Sequence, residues 1–76
     1  MLKENIDKIH TTQMGIERIQ RNLSLNGIDV VSWCQNKILE ASDITRNGKN
    51  FYVKVAGVII TVNAHSYTII TAHRQK

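Results

Sequence analysis

The sequence predicts an α+β domain in which two to three N-terminal helices pack on one face of a three- to four-stranded antiparallel β-meander. Three observations predict it. Apolar residues recur at helical spacing as far as Glu40, the period then changes to alternation, and glycine and asparagine fall between the alternating runs.

Taken in order, Leu2, Ile6 and Ile9 form a short apolar row with Lys3, Glu4, Asp7 and Lys8 on the other side, which predicts a first short helix. His10-Thr11-Thr12 interrupts it, and either threonine can cap a second helix whose stripe is Ile16, Ile19 and Leu23. Asn26-Gly27 is the expected stop. Asp29 is the expected cap of a third helix, with Val30, Trp33 and Lys37 along one row and Val31, Cys34 and Ile38 along the next. Asp43 to Arg46 is a weak strand candidate ahead of Asn47-Gly48, a strong hairpin signal. Phe51, Val53 and Val55 alternate with Tyr52 and Lys54, Ala56-Gly57 turns the chain into Val58 to Asn63, and Ala64-His65-Ser66 turns it into a last strand, Tyr67 to His73.

A two-residue turn at Ala56-Gly57 sets Val55 against Val58, Val53 against Ile60 and Phe51 against Val62 on the face that meets the helices. Tyr52, Lys54, Ile59, Thr61 and Asn63 then line the opposite face. The last strand has two registers. A three-residue loop sends Thr68, Ile70 and Ala72 inward and Tyr67, Ile69, Thr71 and His73 outward, and a two-residue loop reverses the sets. The first is preferred because it buries no histidine, although it strands Ile69 on the open face.

With 76 residues the chain is expected to be a single domain, 1–76, of modest stability, and a homodimer or protein partner would add to it. Its 42% hydrophobic and 21% charged residues are ordinary, and no stretch offers the roughly 20 apolar residues of a membrane helix. Charges run through the first nine residues, so no secretory signal is expected and the cytoplasm is the expected compartment. Cys34 is the sole cysteine, which excludes an internal disulfide and a cysteine-based zinc site. His10, His65 and His73 lack metal-ligand spacing, and no metal or cofactor is expected. The net charge of +4 favours anionic partners such as RNA.

On the preferred register Lys54, Thr61, Asn63, Tyr67, Thr71 and His73 share one face, with Arg46, Lys49 and Arg74 near its edges. Histidine moves protons near neutral pH, lysine stabilises developing phosphate charge, and threonine hydrogen-bonds a non-bridging oxygen. His73, Thr71, Lys54 and Lys49 are therefore the candidate catalytic residues of a metal-independent ribonuclease, and Tyr67, Asn63, Thr61, Arg46 and Arg74 the candidate substrate contacts. The same residue types also suit any strand face that must stay solvated, so a non-catalytic interaction module, docking a partner on this face or at the Tyr67 edge, is the alternative.

The segments Asn5 to Thr12, Asp29 to Cys34, Gly48 to Val53 and above all Ile60 to His73 resemble the bacterial family catalogued as domain of unknown function 3781. The resemblance covers almost the whole chain and implies no established activity. Helices followed by a meander ending Tyr-Thr-Ile-Ile-Thr-Ala-His-Arg are more loosely similar to the barnase, EndoU, colicin and RelE group of metal-independent ribonucleases. That resemblance implies catalytic groups on the sheet face away from the helices, with Thr71 and His73 as the pair and Lys49 or Lys54 as the basic partner. The chain departs from the group in its small size and in lacking a second histidine or a glutamate on that face.

Overall fold

A computed structural model describes residues 2–75. The elements follow the order anticipated: a 3-10 stretch Lys3–Lys8, helices α1 (Gln13–Leu23) and α2 (Val30–Glu40), and strands β1 (Asp43–Asn47), β2 (Asn50–Val55), β3 (Val58–Asn63) and β4 (Ile69–Arg74). The strands form one antiparallel sheet in the order β1-β2-β3-β4, with the helices on one face.

The N-terminal row does not wind into an α-helix, because Asn5 leaves helical geometry at φ −111°. Leu2 and Ile9 are nonetheless buried at its two ends. The two threonines divide their work: the Thr12 hydroxyl accepts the Gly15 N–H at 3.0 Å and caps α1, while the Thr11 hydroxyl donates to the Ile69 carbonyl at 2.9 Å. A Cβ at residue 15 would collide with the Thr11 hydroxyl, so glycine is what lets α1 and that hydroxyl coexist. α1 ends three residues before Gly27, at Ser24 in the left-handed region (φ 56°). The earlier stop turns Leu25 back into the core, and its N–H reaches the Gln20 carbonyl at 3.1 Å.

Asp29 caps α2 through the Ser32 N–H at 3.2 Å. The buried line of α2 is Val30, Cys34 and Ile38, which cuts across the two rows expected from spacing. Trp33 is half-buried at the margin with the Lys37 ammonium 5.6 Å from its ring. Complete burial pushes the Cys34 thiol up to about 12, because the thiolate would lose its hydration. The unfolded chain ionises this thiol near 9.0, whereas the fold holds the proton to about 12. Stability from this group is therefore complete below pH 9 and is lost as pH rises toward 12, with a limiting slope of about 1.4 kcal/mol per pH unit. Urea titrations at pH 8 and pH 10 should show the decline in wild type and a shallower one in Cys34→Ala.

The β2–β3 register is the expected one, Phe51 with Val62, Val53 with Ile60 and Val55 with Val58. Ala56 and Gly57 both take positive φ, 51° and 75°, the backbone of a two-residue type I′ turn. Alanine is a poor fit there and asparagine a good one. Ala56→Asn is expected to raise stability by about 0.5–1 kcal/mol in urea denaturation. The first hairpin slides by two residues from a turn at Asn47-Gly48: Asn47 pairs with Asn50, so Gly48 (φ 64°) and Lys49 make the turn. The slide puts Arg46 opposite Phe51, where its guanidinium lies 5.8 Å from the ring.

β4 shows the most consequential difference. Asn63 and Thr68 bracket the loop, with the Asn63 N–H on the Thr68 carbonyl at 2.9 Å and Tyr67 at φ 58°, so the strand starts at Ile69 and not at Tyr67. A bulge then falls between the Thr61–Thr71 and Val62–Ile69 pairs. Ile69 turns inward (1% exposed), Ile70 outward (39%), and Ala72 inward (0%). The extra residue removes the conflict in the expected register: Ile69 reaches the core without dragging Thr71 and His73 with it.

Candidate functional site

The open face is organised in cross-strand rows. Lys54, Ile59 and His73 make one row with Asp43 at its β1 end, and Tyr52, Thr61 and Thr71 make the next with Thr45. Adjacent strands lie about 4.8 Å apart, so the Cα atoms of Lys54 and His73 are about 10 Å apart with Ile59 between them. Lys54 and His73 are exposed, Thr71 is half-buried and Thr61 is 8% exposed between its row neighbours. The His73 Nδ1 lies 3.2 Å from the Arg74 carbonyl, an oxygen that can only accept, so Nδ1 is the donor, and Nε2 has no hydrogen bond among the described residues. Among the described residues no hydrogen bond joins Lys54, Thr71 and His73 to one another. They share a surface and not a cleft.

The other expected contacts separate from this group. Lys49 sits in the β1–β2 turn, five residues from Lys54 along the strand, or about 16 Å, too far to share one phosphate with His73. The Asn63 side-chain oxygen accepts the His65 and Ser66 N–H groups at 2.9 and 3.0 Å, which makes it the organiser of the β3–β4 loop. Tyr67 packs against the core with the Lys8 ammonium 5.7 Å from its ring, so it is not on the open face. Arg46 shares the helix side with Phe51, and Arg74 reaches the Leu23 carbonyl at 3.4 Å near the end of α1. These two arginines therefore belong to the helix side of the sheet.

A groove of about 530 Å³ lies elsewhere, between the 3-10 stretch and the β1–β2 hairpin, lined by Leu2, Lys3, Glu4, Ile44, Arg46 and Phe51 among others. Arg46 is the one expected contact in its lining, and none of the candidate catalytic residues reaches it.

One cluster escaped sequence reasoning. His10 meets Thr68 at 3.1 Å through Nε2, Thr68 meets Ser66 at 2.8 Å, and His10 Nδ1 meets the Lys8 carbonyl at 2.8 Å. His10 and Thr68 are 58 residues apart in sequence, and no spacing rule links them. The same segment covers the start of β4: the His10 N–H bonds to the Tyr67 carbonyl at 3.2 Å and the Ile69 N–H to the His10 carbonyl at 2.7 Å. Farther along, the Asn22 amide donates to the Ala72 carbonyl at 3.2 Å. The Tyr67 edge expected to accept a partner strand is thus occupied by the chain itself. The β1 edge is uncovered but short, five residues with Asp43 and Arg46 in it, the form in which proteins tolerate a free edge.

Helices on one side of a four-stranded meander and a polar, solvent-facing sheet surface on the other define the class: a small α+β protein with one uncovered sheet face. The sequence model of the family described as protein of unknown function (DUF3781) matches residues 3–73, and the chain belongs to that family. Comparison with curated proteins gives no match. Among the described residues, no helix is long and apolar enough to cross a membrane.

Proposed function

We propose that the open sheet face binds RNA and cleaves it without a metal ion. The observation that carries the reading is the β3–β4 register, which sends Thr71 and His73 outward beside Thr61 and Ile59, in the rows that hold Tyr52 and Lys54. A phosphate lodged over Ile59 would have the His73 imidazole on one side and the Lys54 ammonium on the other. His73 Nε2 takes the proton of a ribose 2′-hydroxyl, the 2′-oxygen bonds to the adjacent phosphorus, and the bond to the 5′-oxygen breaks, that oxygen taking a proton from solvent. Lys54 offsets the charge that builds on the phosphoryl oxygens and Thr71 hydrogen-bonds one of them. The products are a 2′,3′-cyclic phosphate and a 5′-hydroxyl. The net charge of +4 supports the reading, as does the loose sequence resemblance to the barnase, EndoU, colicin and RelE group.

The test incubates purified protein with mixed RNA in excess chelator. Cleavage by wild type and its loss in His73→Ala are expected. RNA left intact by wild type would sink the enzyme claim, and binding that weakens with salt yet ignores His73→Ala would mark a passive nucleic-acid binder.

A further inference from the structure

The His10 cluster has more side-chain chemistry than its structural task requires. Three hydrogen bonds already pin this segment to β4 without the imidazole: His10 N–H to the Tyr67 carbonyl, Ile69 N–H to the His10 carbonyl, and Thr11 hydroxyl to the Ile69 carbonyl, at 3.2, 2.7 and 2.9 Å. His10 is exposed, as is Ser66. Its Nδ1–H is committed to the Lys8 carbonyl, which aims Nε2 at the Thr68 hydroxyl.

Position gives the cluster a use. Thr68 precedes the inward Ile69, so strand alternation puts it on the open side, and the bulge adds Ile70 and Thr71 to that side before His73. One strip along β4 therefore runs from His10 and Thr68, past the apolar Ile70, to Thr71 and His73. Five residues separate Thr68 from His73, about 16 Å of strand. Stacked nucleotides advance about 3.4 Å along one strand, so the two histidines are some five phosphates apart at most, and fewer on an extended chain. Lys49 lies at the His10 end too, where its carbonyl accepts the Ala64 N–H at 2.7 Å.

We infer that His10, with Thr68 and Ser66, is a second phosphate-recognising subsite for a single-stranded RNA whose backbone follows β4 from the His73 end. The inference rests on the RNA reading above and sharpens it to a substrate several nucleotides long. His10 acts here by binding and takes no part in bond breaking. In its doubly protonated form the ring keeps Nδ1–H on the Lys8 carbonyl and gains an Nε2–H, which with the Thr68 and Ser66 hydroxyls suits a phosphate oxygen, and Ile70 gives a base an apolar surface between the two ends.

The test measures fluorescence anisotropy with labelled 2′-O-methyl RNA in chelator, which lacks the attacking hydroxyl and so reports binding without turnover. A hexanucleotide is expected to bind at least tenfold more tightly than a dinucleotide. His10→Ala should weaken the hexanucleotide roughly tenfold, about the loss of one charge-assisted contact. Asn36→Ala, on the exposed side of α2, should match wild type, and melting curves should show His10→Ala folded. If His10→Ala binds the hexanucleotide within twofold of wild type, or if length makes no difference, the subsite is overturned while the RNA reading stands. If wild type binds neither oligonucleotide and leaves mixed RNA intact, both fall.

Discussion

His73→Ala should lower the rate of RNA cleavage in chelator by about 10²- to 10⁴-fold, the usual contribution of a positioned proton-transfer group. His73 is exposed, and its hydrogen bond is to the adjacent Arg74 carbonyl, so its removal leaves no buried partner unsatisfied. Stability should change by no more than about 0.5 kcal/mol, the ordinary scale for surface substitutions. That separation makes the experiment decisive: a folded variant that cleaves as fast as wild type would assign any cleavage to other groups. His73→Gln sharpens the result, since it keeps a hydrogen-bonding side chain and loses the ring nitrogen assigned the proton transfer. It should be as inactive as the alanine variant.

The second large effect is an asymmetry between neighbours. Ile69→Ala is expected to cost about 2–5 kcal/mol and Ile70→Ala no more than about 0.5 kcal/mol, as read from urea midpoints. Ile69 is 1% exposed within the core, and truncating it leaves a cavity bordered by rigid strands. Ile70 is 39% exposed on the open face. The whole domain is expected to have only about 4–11 kcal/mol, so Ile69→Ala spends a large share of it. Without the bulge the two residues would exchange faces and the order of the two costs would reverse. Comparable losses for both would show that the bulge is misplaced.

Ile69, Ile70 and His73 lie on the same strand, where local sequence pattern and tertiary packing part company. Helical and alternating periods located both α-helices and all four strands, and the β2–β3 pairing followed from one two-residue turn, because a turn of known length determines which residues oppose each other. The N-terminal row misled as to helix type: three apolar positions specify a buried side and not the hydrogen-bond ladder behind it. The end of α1 came early for a similar reason. Burial of Leu25 outweighed the glycine signal at Gly27.

The candidate site was legible only in part. Lys54, Thr61, Thr71 and His73 could be put on one face because parity within a strand and across a hairpin is a local property. Arg46, Arg74, Tyr67, Asn63 and Lys49 went elsewhere for reasons parity does not carry. They have an aromatic ring to lie beside, a helix carbonyl to meet, a core to join, a loop to organise and a turn to occupy, respectively. His10 was invisible as a neighbour of Thr68, since nothing local links residues so far apart.

The order of elements, the apolar faces and the charge follow from side-chain period and composition alone. The bulge at Ile69 and Ile70, the coverage of the β4 edge by His10, Thr11 and Asn22, and the meeting of His10 with Thr68 arise only in the packed chain. The physical reason is common to all three. Each satisfies a burial or backbone hydrogen-bonding demand that exists only once distant segments are packed together.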